Sequence, residues 1–381
     1  MSADVWTVKA ALDWTVGYLG RKGDENPRLS AEWLLSEACE LSRIQLYVSF
    51  DRPLTGDERD RLRDFVQRRG AGEPLQYITG EVGFRHITVK VRPGVLIPRP
   101  ETEVLVSEAL ALLPAPERPR WVDPEPQEAP EEARPAEEAL PSRDLGDDAP
   151  ARADEAPAAS DAGAPTAAAD AATAADATAD AADAAATAAD AADAAVPSDE
   201  ALRVADLCTG SGCIACSLAF EHPKASVVAT DLSPAAVALA QENVAALGLE
   251  GRVGVLCCDL GEKIPDRLMG TFDLVVSNPP YVPTAVVAGL APEVRDFEPA
   301  LALDGGADGN DFVRRILPWA ARALRPGAGF ALELHETCLD AAANIARDLG
   351  FSDVRITCDL AGRPRVLTGR RPGAPAVADV R

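Results

Sequence analysis

The chain has 381 residues, 47% of them hydrophobic, enough for a catalytic domain with a full core and a smaller domain beside it. Its net charge of -24 is concentrated, because residues 115–200 hold 22 acidic and 5 basic residues and so carry -17, leaving -7 elsewhere. The sequence lacks the clustered Lys/Arg footprint of a duplex nucleic-acid binder, any run of about 18 apolar residues, and a basic-then-apolar leader, so a cytoplasmic protein with no membrane or direct nucleic-acid partner is expected.

Residues 1–75 read as a small helical domain. Val5, Val8, Leu12, Val16 and Leu19 recur at helical spacing, and Ser30 is placed to cap a segment holding Trp33, Leu34 and Leu35. Thr55 and Glu58 form a capping-box pattern ahead of Leu62, Phe65 and Val66. Over residues 76–114, Tyr77-Ile78, Phe84 and the alternation Ile87, Val89, Val91 predict a short hairpin ending at Pro93-Gly94. A connecting helix then starts near Pro100-Glu101-Thr102-Glu103, with acids in the turn where the helix dipole favours them.

Residues 115–200 turn Pro/Glu-rich and then become an irregular Ala/Asp/Thr tract with few large apolar residues, a composition expected to be disordered. Closing so long a loop costs only roughly 2–3 kcal/mol more than a short one, because the entropy grows with the logarithm of length. From residue 201 to 371 strands and helices alternate. Apolar runs at 204–207, 227–230, 253–257, 272–276 and 330–334, separated by helical stretches, predict a parallel, doubly wound α/β sheet. The runs 354–357 and 366–368, joined through Gly362-Arg363-Pro364, predict a terminal antiparallel hairpin, followed by a flexible tail over 372–381.

The first of these strands runs into Cys208-Thr209-Gly210-Ser211-Gly212 and then directly into a helix. Glycines at such a turn let a ligand approach the backbone, and the free amides at the helix start attract anionic groups. Gly210, Gly212 and Ala215 fit the dinucleotide pattern G-x-G-x-x-A, with Asp231 21 residues beyond Gly210, so a nicotinamide dehydrogenase is one reading. Asp231, ahead of the Ser233-Pro234 helix start, can accept the ribose hydroxyls of any adenosine cofactor, and Asp259 after the third strand stands where an adenine amino group could be met.

Cys208, Cys213 and Cys216 have the C-x4-C-x2-C spacing of one iron–sulfur class. They fall on the strand end, the glycine turn and the helix start, so the eight cysteines are expected to be reduced and no metal is expected. His86, His222 and His335 lie beside no nucleophile motif, which leaves a hydrolase triad unsupported.

Asn278-Pro279-Pro280-Tyr281 follows the strand at 272–276 directly. An amide nitrogen is a poor nucleophile because its lone pair is delocalised into the carbonyl. Catalysis on it must hold the nitrogen in line with the reacting carbon and favour the hybridisation in which the lone pair attacks. The Asn278 side-chain oxygen and the Pro279 carbonyl are two acceptors able to take one N–H each. The prolines stiffen the loop, and the Tyr281 ring can pack over a planar amide.

With these motifs the sequence resembles the bacterial release factor glutamine methyltransferases, the HemK or PrmC family, over residues 1 to about 114 and 203 to about 371. The resemblance rests on Gly72 to Gly80, Leu96 to Glu103, the glycine turn, Asn278 to Tyr281, and Glu293 to Pro299. It implies a helical domain that docks class 1 release factors and a class I methyltransferase domain that binds S-adenosylmethionine through Cys208, Thr209, Gly210, Ser211, Gly212, Asp231, Asp259, Leu260 and Asn278. It also implies that Asn278, Pro279, Pro280 and Tyr281 hold the glutamine of a Gly-Gly-Gln motif, with Asn278, Pro279 and Tyr281 the catalytic set. A monomer acting in translation termination is expected. Cys208 departs from the family, which commonly has glycine there, and the acidic insert is foreign to its pattern. Alternatives are a glutamine methyltransferase of a ribosomal protein, an N6-adenine DNA methyltransferase, or a non-catalytic cofactor-binding module.

Overall fold

The computed structural model describes residues 5–116 and 201–373. The disordered insert expected over 115–200 and the flexible tail expected over 372–381 therefore lie, apart from their edges, outside the described residues.

Five helices come first: α1 (Val8–Arg21), α2 (Pro27–Cys39), α3 (Arg43–Val48), α4 (Gly56–Gly70) and α5 (Leu75–Thr79). Leu12, Leu19, Leu34, Leu35, Leu46, Leu62 and Val66 meet in one buried cluster, the face that the helical spacing implies. Thr55 and Glu58 make the capping box in full. Ser30 does not cap α2. Pro27, whose fixed φ suits the first helical position, starts that helix earlier, behind Asn26, and the Ser30 hydroxyl instead donates to Asp24 Oδ2 at 2.8 Å.

Tyr77-Ile78 is helical, not extended. Pro74 precedes α5, and Gly80 ends it in the left-handed region at φ +79°. The hairpin is β1 (Glu81–Phe84) with β2 (Ile87–Lys90), and α6 (Thr102–Leu112) follows.

The sheet contains β3 (Leu202–Leu207), β4 (Ala225–Asp231), β5 (Val253–Cys257), β6 (Phe272–Ser277), β7 (Leu324–Glu333), β8 (Ser352–Cys358) and β9 (Pro364–Arg370), in the order β5-β4-β3-β6-β7-β9-β8. The first five strands in that order are parallel; β9 pairs antiparallel with both β7 and β8. Between the strands lie α7 (Cys213–Glu221), α8 (Pro234–Ala246), the short turns α9 (Thr284–Val287) and α10 (Pro292–Arg295), α11 (Val313–Ala323) and α12 (Leu339–Asp348).

Alternate strand residues face opposite layers, as the two-residue repeat of a strand requires. Ala205, Leu207, Val275 and Phe330 pack with α11 and α12, while Val204, Leu274, Val276 and Ala331 pack with α6, α7 and α8. The chain leaves β3 toward β4 and β5 on one side and returns to β6 and β7 on the other, so the strand order reverses between β3 and β6. Ligands of such sheets bind at the carboxyl ends of the two strands flanking this reversal. Those ends carry the glycine turn and the Asn278 loop.

Candidate active site

The turn after β3 is built from left-handed residues: Cys208, Gly210 and Gly212 have φ of 60°, 57° and 79°. Only glycine adopts this region freely, so Cys208 bears a local cost of roughly 1–2 kcal/mol, which accounts for a preference for glycine there. A Cβ added at Gly210 would meet only Val95 at 4.0 Å, so the backbone at this point is open to a ligand. One at Gly212 would lie 3.1 Å from Ala240 Cβ, and that glycine serves close packing of α8 against the turn.

Polar groups tie the turn down from below and beside. Thr209 Oγ1 donates to Asp206 Oδ2 at 2.6 Å beneath it, and burial pushes the Asp206 carboxyl up to about 7. Asp231 accepts the Gly210 N–H on Oδ2 and the Ser233 N–H on Oδ1, each at 2.9 Å, and so joins the turns after β3 and β4. Burial raises the pKa of Asp231 and these N–H donors oppose the rise. Each oxygen keeps a second lone pair for a ligand hydroxyl.

Asn243 holds the turn from α8. Its Nδ2 donates to the Ser211 carbonyl at 2.8 Å and to the Lys90 carbonyl at 3.1 Å, and its Oδ1 accepts the Lys90 N–H at 2.8 Å. Sequence reasoning missed this residue. The signal was a single Asn within an apolar helix face.

After β6, Asn278 Nδ2 donates to Thr102 Oγ1 of α6 at 3.1 Å. No described residue donates to Asn278 Oδ1 or to the Pro279 carbonyl. The chain behind is backed by Gly305, where an added Cβ would fall 2.6 Å from Tyr281 Cα and 2.8 Å from the Pro280 oxygen. Val282 and Gly305 exchange bonds with that segment at 2.8 Å, Val282 N–H to the Leu303 carbonyl and Gly305 N–H to the Val282 carbonyl.

An open cleft lies over this end of the sheet. It brings together Cys208, Thr209, Gly210, Ser211, Asp231, Asp259, Leu260, Asn278 and Pro280. Gly212, Pro279 and Tyr281 are not among its lining residues. The Tyr281 ring packs on the core, and its hydroxyl donates to Glu333 Oε1 at 3.2 Å, away from a position over a cleft ligand. Asp259 has one oxygen, Oδ2, paired with Arg315 at 2.6 Å, which leaves Oδ1 for an adenine amino group. The lining is completed by the stretch Gly94 to Arg99 with Thr102, and by Leu301 and Phe312, residues to which sequence reasoning gave no site role. Apolar walls with few polar groups suit a nucleoside-sized ligand. The open backbone at Gly210 beside the Asp231 carboxylate fits the adenosine and amino-acid parts of S-adenosylmethionine.

The PrmC N-terminal domain model matches residues 10–80, and the methyltransferase small domain model matches residues 179–291. A release factor glutamine methyltransferase of Geobacter sulfurreducens is 37% identical over 96% of this chain and 98% of its own length. Proteins of the same description from Moorella thermoacetica and Koribacter versatilis are 35% and 33% identical, each over 96% of this chain and 99% of theirs.

Proposed function

The chain belongs to the release factor glutamine methyltransferase family, and from that membership we propose that it methylates the side-chain amide nitrogen of the glutamine in the Gly-Gly-Gln motif of class 1 peptide chain release factors. S-Adenosylmethionine is the cofactor, and when bound it supplies an electrophilic methyl group on a sulfonium. Cys208 to Ser211, Asp231, Asp259 and Leu260 would hold it, the first four through backbone contact and Asp231 through the ribose hydroxyls, with Gly212 shaping the turn from behind. The observation that carries the reading is Asn278, whose side-chain oxygen has no partner among the described residues and whose loop faces the glycine turn across the strand reversal.

Asn278 Oδ1 takes one N–H of the substrate amide and the Pro279 carbonyl the other. With both protons held, the nitrogen is turned out of conjugation with its carbonyl and its lone pair points along the transfer axis. The proton leaves the nitrogen after attack, so the chain needs no group to remove it beforehand. Tyr281 braces the loop from behind through Glu333.

The helical residues before 75 are the docking element, with Trp33, Ile44 and Val48 exposed on their surface. Among the described residues no helix is long and apolar enough to cross a membrane, and a cytoplasmic monomer that contacts release factor rather than nucleic acid suits translation termination. Incubation with labelled S-adenosylmethionine, a purified release factor and a ribosomal protein fraction tests this. Label mapped to the release-factor glutamine is the expected result, and label on ribosomal protein or on no protein removes the reading.

A further inference from the structure

One face of α8 supports both the glycine turn and the segment beside it. Ala236 and Leu239 form a buried cluster with Val95, Ala240 lies against Gly212, and Asn243, 1% exposed, stands one helical turn further on. Asn243 commits its whole amide to backbone groups of two other elements. Its Nδ2 donates to the carbonyls of Ser211 and Lys90 at 2.8 and 3.1 Å, and its Oδ1 accepts the Lys90 N–H at 2.8 Å. To Lys90 the amide is what a neighbouring strand would be, a donor and an acceptor side by side, so it closes the edge of β2. Further along the same segment Val95 lines the cleft, and its Cγ1 lies 4.0 Å from a Cβ built at Gly210. Tyr77 of α5 secures Val95 from the other side, its hydroxyl donating to the Val95 carbonyl at 2.7 Å.

The left-handed residues give the turn its shape, but shape alone does not fix its distance from Val95. The Ser211 carbonyl and the Gly212 N–H belong to one peptide plane. The N–H donates to the Thr209 carbonyl at 2.9 Å inside the turn, and the carbonyl is held by Asn243 outside it. We propose that Asn243 is a positioning residue for the cofactor: by gripping Ser211 and Lys90 together it holds the glycine turn and the Gly94–Arg99 segment at the spacing that S-adenosylmethionine fits. Asn243 is not among the residues lining the cleft, so it acts through those two stretches of backbone. The neighbouring ion pair of Arg92 with Glu242, at 2.6 Å, joins the same two elements but is exposed at both ends and contributes little. The proposal rests on the reading of this cleft as the cofactor site.

Asn243→Leu removes all three bonds at similar shape, and Asn243→Asp keeps the acceptor for Lys90 while setting a second oxygen against the two carbonyls. Each is expected to weaken S-adenosylmethionine binding at least about tenfold in calorimetry, with kcat at saturating cofactor and KM for release factor changed less than about threefold. Val244→Ala, a buried truncation at the next position, and Glu242→Gln should keep affinity within about twofold of the parent, although Val244→Ala melts lower. That split separates positioning from stability alone. The parent protein gives an independent readout. If opening of the Asn243 contact weakens the cofactor about tenfold, saturating cofactor must slow hydrogen exchange of the Lys90 N–H by about the same factor, beyond any slowing at Leu34 in the helical domain. Parent-like affinity in both Asn243 variants, an equal loss in Val244→Ala, or Lys90 exchange indifferent to cofactor overturns the proposal; if neither Asn243 variant folds, the exchange measurement decides. Asp231→Ala separates the two levels: if it binds cofactor like the parent, the cleft reading fails first, and if it loses the cofactor while Asn243→Leu keeps it, only the role of Asn243 fails.

Discussion

Backbone conformation holds the turn after β3, whereas side chains from remote elements hold the loop after β6. The first depends on three alternate residues, Cys208, Gly210 and Gly212, at positive φ and on bonds to the adjacent strand, with Thr209 N–H reaching the Thr230 carbonyl at 2.9 Å. The second depends on Thr102, 176 residues away in sequence, and on Glu333, 52 residues away. The two kinds of support suit their tasks. A cofactor whose shape never varies can be met by fixed N–H groups, while a substrate amide must be met by an oxygen of defined polarity, which only a directed side chain provides.

The comparison breaks most sharply at Asn278. Asn278→Ala deletes the directed oxygen and leaves the glycine turn untouched, so kcat is expected to fall by about 10³, the scale seen when one transition-state hydrogen-bonding group is removed. Calorimetry should find cofactor affinity within a few-fold of the parent; parent-like turnover would end the assigned role.

The base of the glycine turn tests the other half through pH. Asp206 is ordinarily ionised above 3.8, but full burial moves it to about 7 in the folded chain. The folded state therefore holds this proton more tightly than the unfolded state, and the group's contribution to stability is present below about pH 4 and lost as pH rises to about 7. Asp206→Asn keeps an acceptor for Thr209 and cannot ionise. Relative to the parent, its denaturant midpoint should improve from pH 4 to pH 7, by at most about 4 kcal/mol over that span at roughly 1.4 kcal/mol per pH unit. A difference that stays flat with pH would show Asp206 ionising normally.

Legibility followed the same division. The glycine turn, Asp231 and the positions of the buried strands along the chain could be read locally, because left-handed backbone selects glycine and buried strands select continuous apolar runs. Gly212 shows how far that goes: φ +79° and 3.1 Å from a built Cβ to Ala240 mean that Gly212→Ala combines backbone strain with overpacking. A loss of about 3 kcal/mol in chemical denaturation is expected, with weaker cofactor binding.

Local reasoning failed where a partner is distant or a boundary is competitive. Nothing near Thr102 marks it as the anchor of Asn278, and Asn243 is one polar residue whose partners, Ser211 and Lys90, belong to other elements. Tyr281 was read as a cover for the substrate because an aromatic beside prolines suits that task, yet its hydroxyl finds Glu333 behind the loop. Ser30 and Tyr77-Ile78 were misplaced because prolines at 27 and 74 set where those helices begin.

One bond spans both regions and gives the smallest expected effect. The buried Ser277 hydroxyl, the last residue of β6 before Asn278, donates to the carbonyl of Leu207, the last residue of β3 before Cys208, at 2.6 Å. It is the direct strut between the two turns at the strand reversal. Ser277→Ala removes the donor without adding volume, so the cost is one buried hydrogen bond, about 1 kcal/mol, and a melting temperature lower by about 2–4 °C. Because the strut fixes the spacing of donor and acceptor, cofactor affinity and kcat should decline together by roughly threefold, each being sensitive to misplacement of the reacting atoms by a fraction of an ångström. A lower melting temperature with both constants unchanged would mean that the backbone of the first turn and the distant side chains of the second each hold position alone.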